Sequence, residues 1–153
     1  MSHDVPRPVV EAFYKIYAAR DVAAIADYLH DDIAWTISGP VDLLPFCGIH
    51  RGKPAVLDLI GRQVPAVLRT FSFVPDTILV QGDQAAMLSR QSARHSGDGR
   101  TISYRVANFM RFRDGKVLEN LTLMDSFDAV EQVLGQPLAA GATPARNGGL
   151  VAV

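Results

Sequence analysis

The spacing of apolar positions along this chain shifts near residue 70 from mainly helical to mainly alternating. Before that point Val9, Val10, Phe13, Ile16 and Tyr17 recur every three or four residues, the spacing of an amphipathic helix. A second short helix is predicted from the N-cap Asp21, burying Val22, Ile25 and Leu29. Residues 33–38 read as a strand with Trp35 and Ile37 on one side, stopped by Gly39-Pro40 and followed by a loop through Cys47. Pro54 suits a first helical turn, so residues 54–68 are predicted to form a third helix burying Val56, Ile60, Val64 and Leu68. Pro65 should kink that helix or end it early.

Beyond residue 70 the period falls to two. Strands are predicted at 71–80, 84–95, 101–113 and 116–124, separated by Gln81-Gly82-Asp83, Gly97-Asp98-Gly99 and Asp114-Gly115. Asp114-Gly115 is the clearest turn, because a tight primed turn needs positive φ at both central residues. A last helix over 127–134 should end at Gly135, with Pro137 just beyond. Helices gathered at one end and a long meander at the other predict an α+β fold. Its sheet, antiparallel or mixed, curls into a cone around three N-terminal helices, with a closed mouth and an interior pocket. Residues 1–135 form the expected cone domain, and 136–153 an Ala/Gly/Pro-rich tail.

Composition narrows the partners. The 153 residues carry 15 Lys and Arg against 16 Asp and Glu, so no basic footprint for nucleic acid or an anionic membrane is present. With 48% hydrophobic and 20% charged residues a sizeable core is expected. No apolar run approaches a membrane span, and the first six residues lack the pattern of an export signal. Cys47, the one cysteine, cannot make an internal disulfide, which fits a reducing, cytoplasmic setting. His30-Asp31-Asp32 reads as a solvated helix end rather than a metal cluster, since adjacent side chains cannot converge on one ion. No phosphate-cradling loop or nucleotide fingerprint is present, and no cofactor or metal is expected.

Four segments together resemble the nuclear transport factor 2-like superfamily over about residues 7–135: Tyr17-Ala18-Ala19-Arg20-Asp21, Leu29-His30-Asp31-Asp32-Ile33-Ala34-Trp35, Gly48-Ile49-His50-Arg51-Gly52-Lys53, and Phe112-Arg113-Asp114-Gly115-Lys116-Val117 followed by Met124-Asp125. That superfamily includes ketosteroid isomerases, SnoaL-like polyketide cyclases, limonene epoxide hydrolase and scytalone dehydratase. The resemblance implies a pocketed, usually dimeric cone and leaves the reaction open. Carried over position by position, the isomerase base falls on Ile37, which accepts no proton. The oxyanion tyrosine falls on Phe13, with Tyr14 adjacent and Tyr17 one turn on, and the second oxyanion donor becomes Asn108. SnoaL-like enzymes place a carboxylate on or near the last strand, where this chain offers Asp125 and, besides it, only Glu119.

Each candidate has a structural reading beside the functional one. Asp125 is either an acid/base group or the cap of the last helix. Asn108 faces inward by period two and is paired either within the core or to a ligand. His50 is either a general base at the pocket mouth or a surface histidine. The expected lining is Phe13, Tyr17, Trp35, Ile37, Gln91, Tyr104, Met110, Asn120, Thr122 and Met124. With Ser89, Gln91, Asn108, Asn120 and Thr122 all inward the cone would be polar, suiting a small, partly oxygenated organic molecule. The expectation is a homodimer, joined through the outer sheet face, that binds such a molecule and performs cofactor-free proton transfer of isomerase, cyclase or dehydratase type. Asp125 or His50 would be acid/base, with Asn108 polarising a carbonyl. The alternative is a noncatalytic ligand-binding or protein-association module of the same fold.

Overall fold

The structure is a computed structural model, described here for residues 3–138. Pro6, extended at φ −65°, and Pro8 set up the first helix, α1 (Arg7–Ala19), which buries Val10, Phe13 and Tyr14. Arg20 ends it in the left-handed region. Asp21 then caps α2 (Val22–Asp27), its carboxylate accepting from the Ala24 N–H at 3.1 Å. The chain enters β1 (Leu29–Ser38) at once, so Leu29 is buried as a strand residue rather than as the end of α2.

Two departures from the sequence expectation follow. Gly48–Arg51, read as loop, forms a short strand, β2, antiparallel to β1. The third helix is shorter than expected: α3 (Lys53–Asp58) passes into a π-helical turn (Leu59–Gln63) that ends before Pro65. Leu68, placed on that helix from the sequence, instead opens β3 (Leu68–Gln81). Pro65 has no N–H to donate to a helical ladder, so the regular helix stops before it even though Val64 keeps helical angles at φ −64° and ψ −50°.

β4 (Gln84–His95), β5 (Thr101–Arg113) and β6 (Lys116–Met124) complete a six-stranded mixed sheet in the order β2-β1-β6-β5-β4-β3. Every pairing is antiparallel except β1 with β6. The expected α+β cone is therefore present, but its mouth is not closed, since β2 and β3 remain edges. Pro75 is tolerated on β3 because an edge strand can spare an N–H, and the ladder shifts there. Asp114 (φ 54°) and Gly115 (φ 74°) make the tight turn the sequence predicts.

α4 (Ser126–Leu134) closes the described chain, capped by Asp125 and ended by left-handed Gly135. The tail expected from residue 136 is tied down at its start, where the Leu138 N–H donates to Glu131 Oε1 at 2.9 Å. The remainder of that tail lies outside the described residues. The core sits between the inner sheet face and α1, α2 and α3, with Phe13, Ile25, Leu29, Ile33, Leu44 and Leu59 fully buried. Each such side chain contributes about 1.5–3 kcal/mol relative to exposure.

Candidate functional site

Register decides what the inner face presents. One row across the sheet runs Ile37, Thr122, Asn108, Met87 and Ile78, and a second runs Trp35, Asn120, Met110 and Ala85. Ser89, Gln91, Asn108 and Asn120 all fall inward and are buried. Uncharged polar groups thus line a face that would otherwise be hydrocarbon, and each needs a partner.

The Tyr14 phenol donates to Asn108 Oδ1 at 3.2 Å, and burial pushes the phenol well above the usual tyrosine range. The carboxamide oxygen is thereby occupied, which leaves the NH2 group as the donor Asn108 can offer elsewhere. Ser89 Oγ donates to the Val106 carbonyl at 3.4 Å. Asn120 Nδ2 donates to Thr122 Oγ1 at 2.8 Å, and Asn120 Oδ1 is buried without a partner.

Inside the cone lies a cavity of about 30 Å³ lined by Tyr17, Arg20, Ile37, Phe46, Val64, Gln91, Tyr104, Val106, Thr122 and Met124. Tyr17, Ile37, Gln91, Tyr104, Thr122 and Met124 are thus brought together as the sequence suggests. Phe13, Trp35, Met110 and Asn120 are not: they are buried behind the walls. Phe13 packs on Tyr14, Tyr17 and Tyr28 with ring centroids 5.9–6.0 Å apart, and Trp35 lies 5.7 Å from Tyr17. Their part is to fix Tyr17. Asn120 likewise acts one step back, holding the Thr122 hydroxyl.

The expected acid/base groups stand outside the lining. Asp125 is exposed and accepts from the Asp128 N–H at 3.4 Å, the capping geometry. His50 lies on β2 opposite Trp35, with Nε2 2.9 Å from the Phe46 carbonyl oxygen, so it steadies the loop that carries Phe46 into the cavity. No carboxylate or imidazole lines the inner cavity among the described residues. Burial pushes the Tyr104 phenol up to about 12, with the Arg20 charge pulling it the other way. What the cavity offers is therefore hydrogen bonding from phenol, amide, hydroxyl and guanidinium groups.

Sequence reasoning missed Arg20, Phe46, Val64 and Val106 as lining residues. Arg20 follows Tyr17 by three positions, the spacing that stacks a cation over a ring, and Phe46 ends an apolar run inside a loop. Both signals were present. Beside the inner cavity, sharing Arg20 and Val64 with it, is a cleft of about 200 Å³ walled by Val22, Ile60, Pro65 and Leu68. Two roomier hollows, about 390 and 440 Å³, lie near His3–Val5 and on the outer sheet face. Of the inner face's buried polar residues only Asn120 borders either hollow, so the interior is the candidate site. Among the described residues no cluster of His, Cys, Asp and Glu could hold a metal ion.

Comparison with known proteins matches residues 10–120 to the SnoaL-like domain family. The chain belongs to that family. A solved protein from Rhodopseudomonas palustris, named as a candidate isomerase, is 34% identical with a TM-score of 0.73, over 83% of this chain and 93% of its own. TerC, co-crystallised with polyporic acid, is 21% identical with a TM-score of 0.70, over 81% and 96% of the two chains. A Catenulispora acidiphila protein of ketosteroid isomerase-like fold, solved with trimethylamine, is 14% identical with a TM-score of 0.68, over 87% and 95%. The last two share the fold alone with this SnoaL-like domain. No match was found among proteins of curated function.

Proposed function

We propose that this SnoaL-like domain binds a small, partly oxygenated organic molecule in the cone interior and the adjoining cleft. The observation that carries it is the convergence of Tyr17, Gln91, Tyr104 and Thr122 on one cavity inside an otherwise apolar cone. Hydrogen-bonding groups gathered around one recess give orientation, and the hydrocarbon around them gives affinity. Proton-transfer chemistry of isomerase, cyclase or dehydratase type, without a cofactor, is the catalytic form of this function. In that form Asn108, oriented by Tyr14, would polarise a carbonyl and Asp125 or His50 would move the proton, and all three would have to be reached from a cavity whose lining includes none of them.

The noncatalytic form is favoured by two specific observations: Ile37 lines the cavity where the isomerases carry their base, and Asp125 is engaged as a helix cap. The geometry supports binding ahead of catalysis.

A second copy of the chain is the proposed protein partner, docked on the outer sheet face. Ile49, Thr36, Leu121, Phe109, Ala86 and Leu79 form one row across all six strands, and the next row adds Leu123 and Leu88. Ile49, Phe109 and Leu79 are each more than half exposed. Six strands about 4.8 Å apart and eight residues of strand length give a face of roughly 29 by 26 Å. That is on the order of the 800 Å² per partner of a stable interface. Native mass spectrometry of freshly purified protein tests both parts. A dimer carrying a fixed small added mass supports them, whereas a bare monomer counts against both.

A further inference from the structure

Arg20 stands where the inner cavity and the outer cleft meet, and with Val64 it lines both. Its guanidinium carbon lies 4.2 Å from the Tyr17 ring centroid. Nη2 donates to Thr70 Oγ1 at 3.3 Å and to Gln91 Oε1 at 3.4 Å. Both acceptors are neutral, and both contacts are long beside the roughly 2.7–2.9 Å of a guanidinium on a carboxylate. Among the described residues no carboxylate pairs with Arg20. Asp21, next in the chain, spends Oδ1 on the Ala24 N–H.

Among the described residues no acidic side chain lines either space. Arg69, the other charged residue at the cleft, is also a cation and lies opposite Arg94 across the ladder. The remaining walls are chiefly hydrocarbon, from Val22, Ile60, Val64 and Leu68. A half-buried cation against such walls is costly until an anion joins it. The backbone also pays for this placement, since Arg20 holds φ 55° where glycine is the usual residue.

We propose that the ligand of this domain is a small organic carboxylate. Its carboxylate docks on Arg20, its hydrocarbon body lies in the 200 Å³ cleft, and any inner polar group reaches Gln91 and Tyr104. The division follows from size: a space of about 30 Å³ takes a water-sized group, so the body must occupy the cleft. This assignment rests on the small-molecule function proposed above and adds the charge of the ligand to it.

The test is a matched pair of probes, hexanoate and 1-hexanol, titrated at neutral pH into the ¹⁵N-labelled full chain. Hexanoate is expected to shift the Arg20, Val64, Thr70 and Gln91 amides saturably and to bind at least about tenfold more tightly than hexanol. The preference should shrink with added salt, fall to about twofold or less in Arg20→Gln, and return in Arg20→Lys. Equal binding of the two probes to the wild type, or a preference undiminished in Arg20→Gln, overturns the carboxylate assignment and leaves the small-molecule function standing. Shifts from neither probe at these amides overturn the carboxylate assignment as well, whereas the small-molecule function falls only if ketones, lactones and phenols also leave the cavity amides unmoved. Because the wild-type comparison decides the matter by itself, a poorly folding Arg20→Gln chain does not block it.

Discussion

Tyr14 and Asn108 show how a buried polar residue becomes a fixed one. They are 94 positions apart in sequence, and their hydrogen bond joins the first helix to the fifth strand inside the core. Tyr14→Phe leaves the Asn108 oxygen without its donor, and a loss of about 1–2 kcal/mol in denaturant unfolding is expected. Asn108→Leu strands the phenol at a similar cost. The double variant should lose less than the sum, and strict additivity would show that the two do not act together. Period-two alternation made the inward aim of Asn108 legible from sequence; its partner was not, because no local pattern links residues so far apart. Tyr104 gives a pH prediction. Below pH of about 10 the phenol is protonated folded or unfolded and has no effect. Between there and about 12 only the unfolded chain loses the proton, so stability falls as pH rises. The expected share is roughly 1.4 kcal/mol at pH 11, and Tyr104→Phe should lose correspondingly less between pH 9 and 11. An unchanged alkaline loss in that variant would mean that the phenol is not sheltered.

At the scale of elements, the capping of α4 separates two roles of Asp125. Asp125→Ala should cost about 1 kcal/mol of stability, while Asp125→Asn, an equally good cap, should keep it. Probe binding in the cone should be unaffected by either. Turnover lost in Asp125→Asn with stability intact would instead reveal the acid/base role. The long strands were the most legible elements, because thirteen residues of alternation in β5 leave little ambiguity. β2 was missed because Gly48-Ile49-His50-Arg51 is too short to alternate visibly, and it is a strand only because β1 offers it an edge. The third helix was overrun because Val64 and Leu68 continue its apolar spacing past Pro65. There the backbone rule outweighs the side-chain pattern.

For the whole molecule, the order of elements and the switch of period were enough to reach the α+β cone. The open edges and the parallel pairing of β1 with β6 were not, since long-range pairing leaves no mark in local spacing. The site was half legible for the same reason: sheet residues are placed by alternation, whereas Arg20, Phe46 and Val64 reach the cavity through a helix end and loops. The exposed row through Phe109 gives a prediction at this scale. Phe109→Asp places a charge at the centre of the proposed contact and should convert a dimer to a folded monomer in sedimentation experiments. A dimer unchanged by that substitution would place the contact elsewhere. The central claim, that the cone interior is a binding site, is tested most directly by an NMR titration of the labelled full chain with small ketones, lactones, phenols and carboxylates. The account predicts saturable shifts, from at least one compound, that cluster on Tyr17, Gln91, Tyr104, Thr122 and Met124. A panel that leaves those amides unmoved, or moves only the hollows near His3–Val5 and on the outer face, would contradict it.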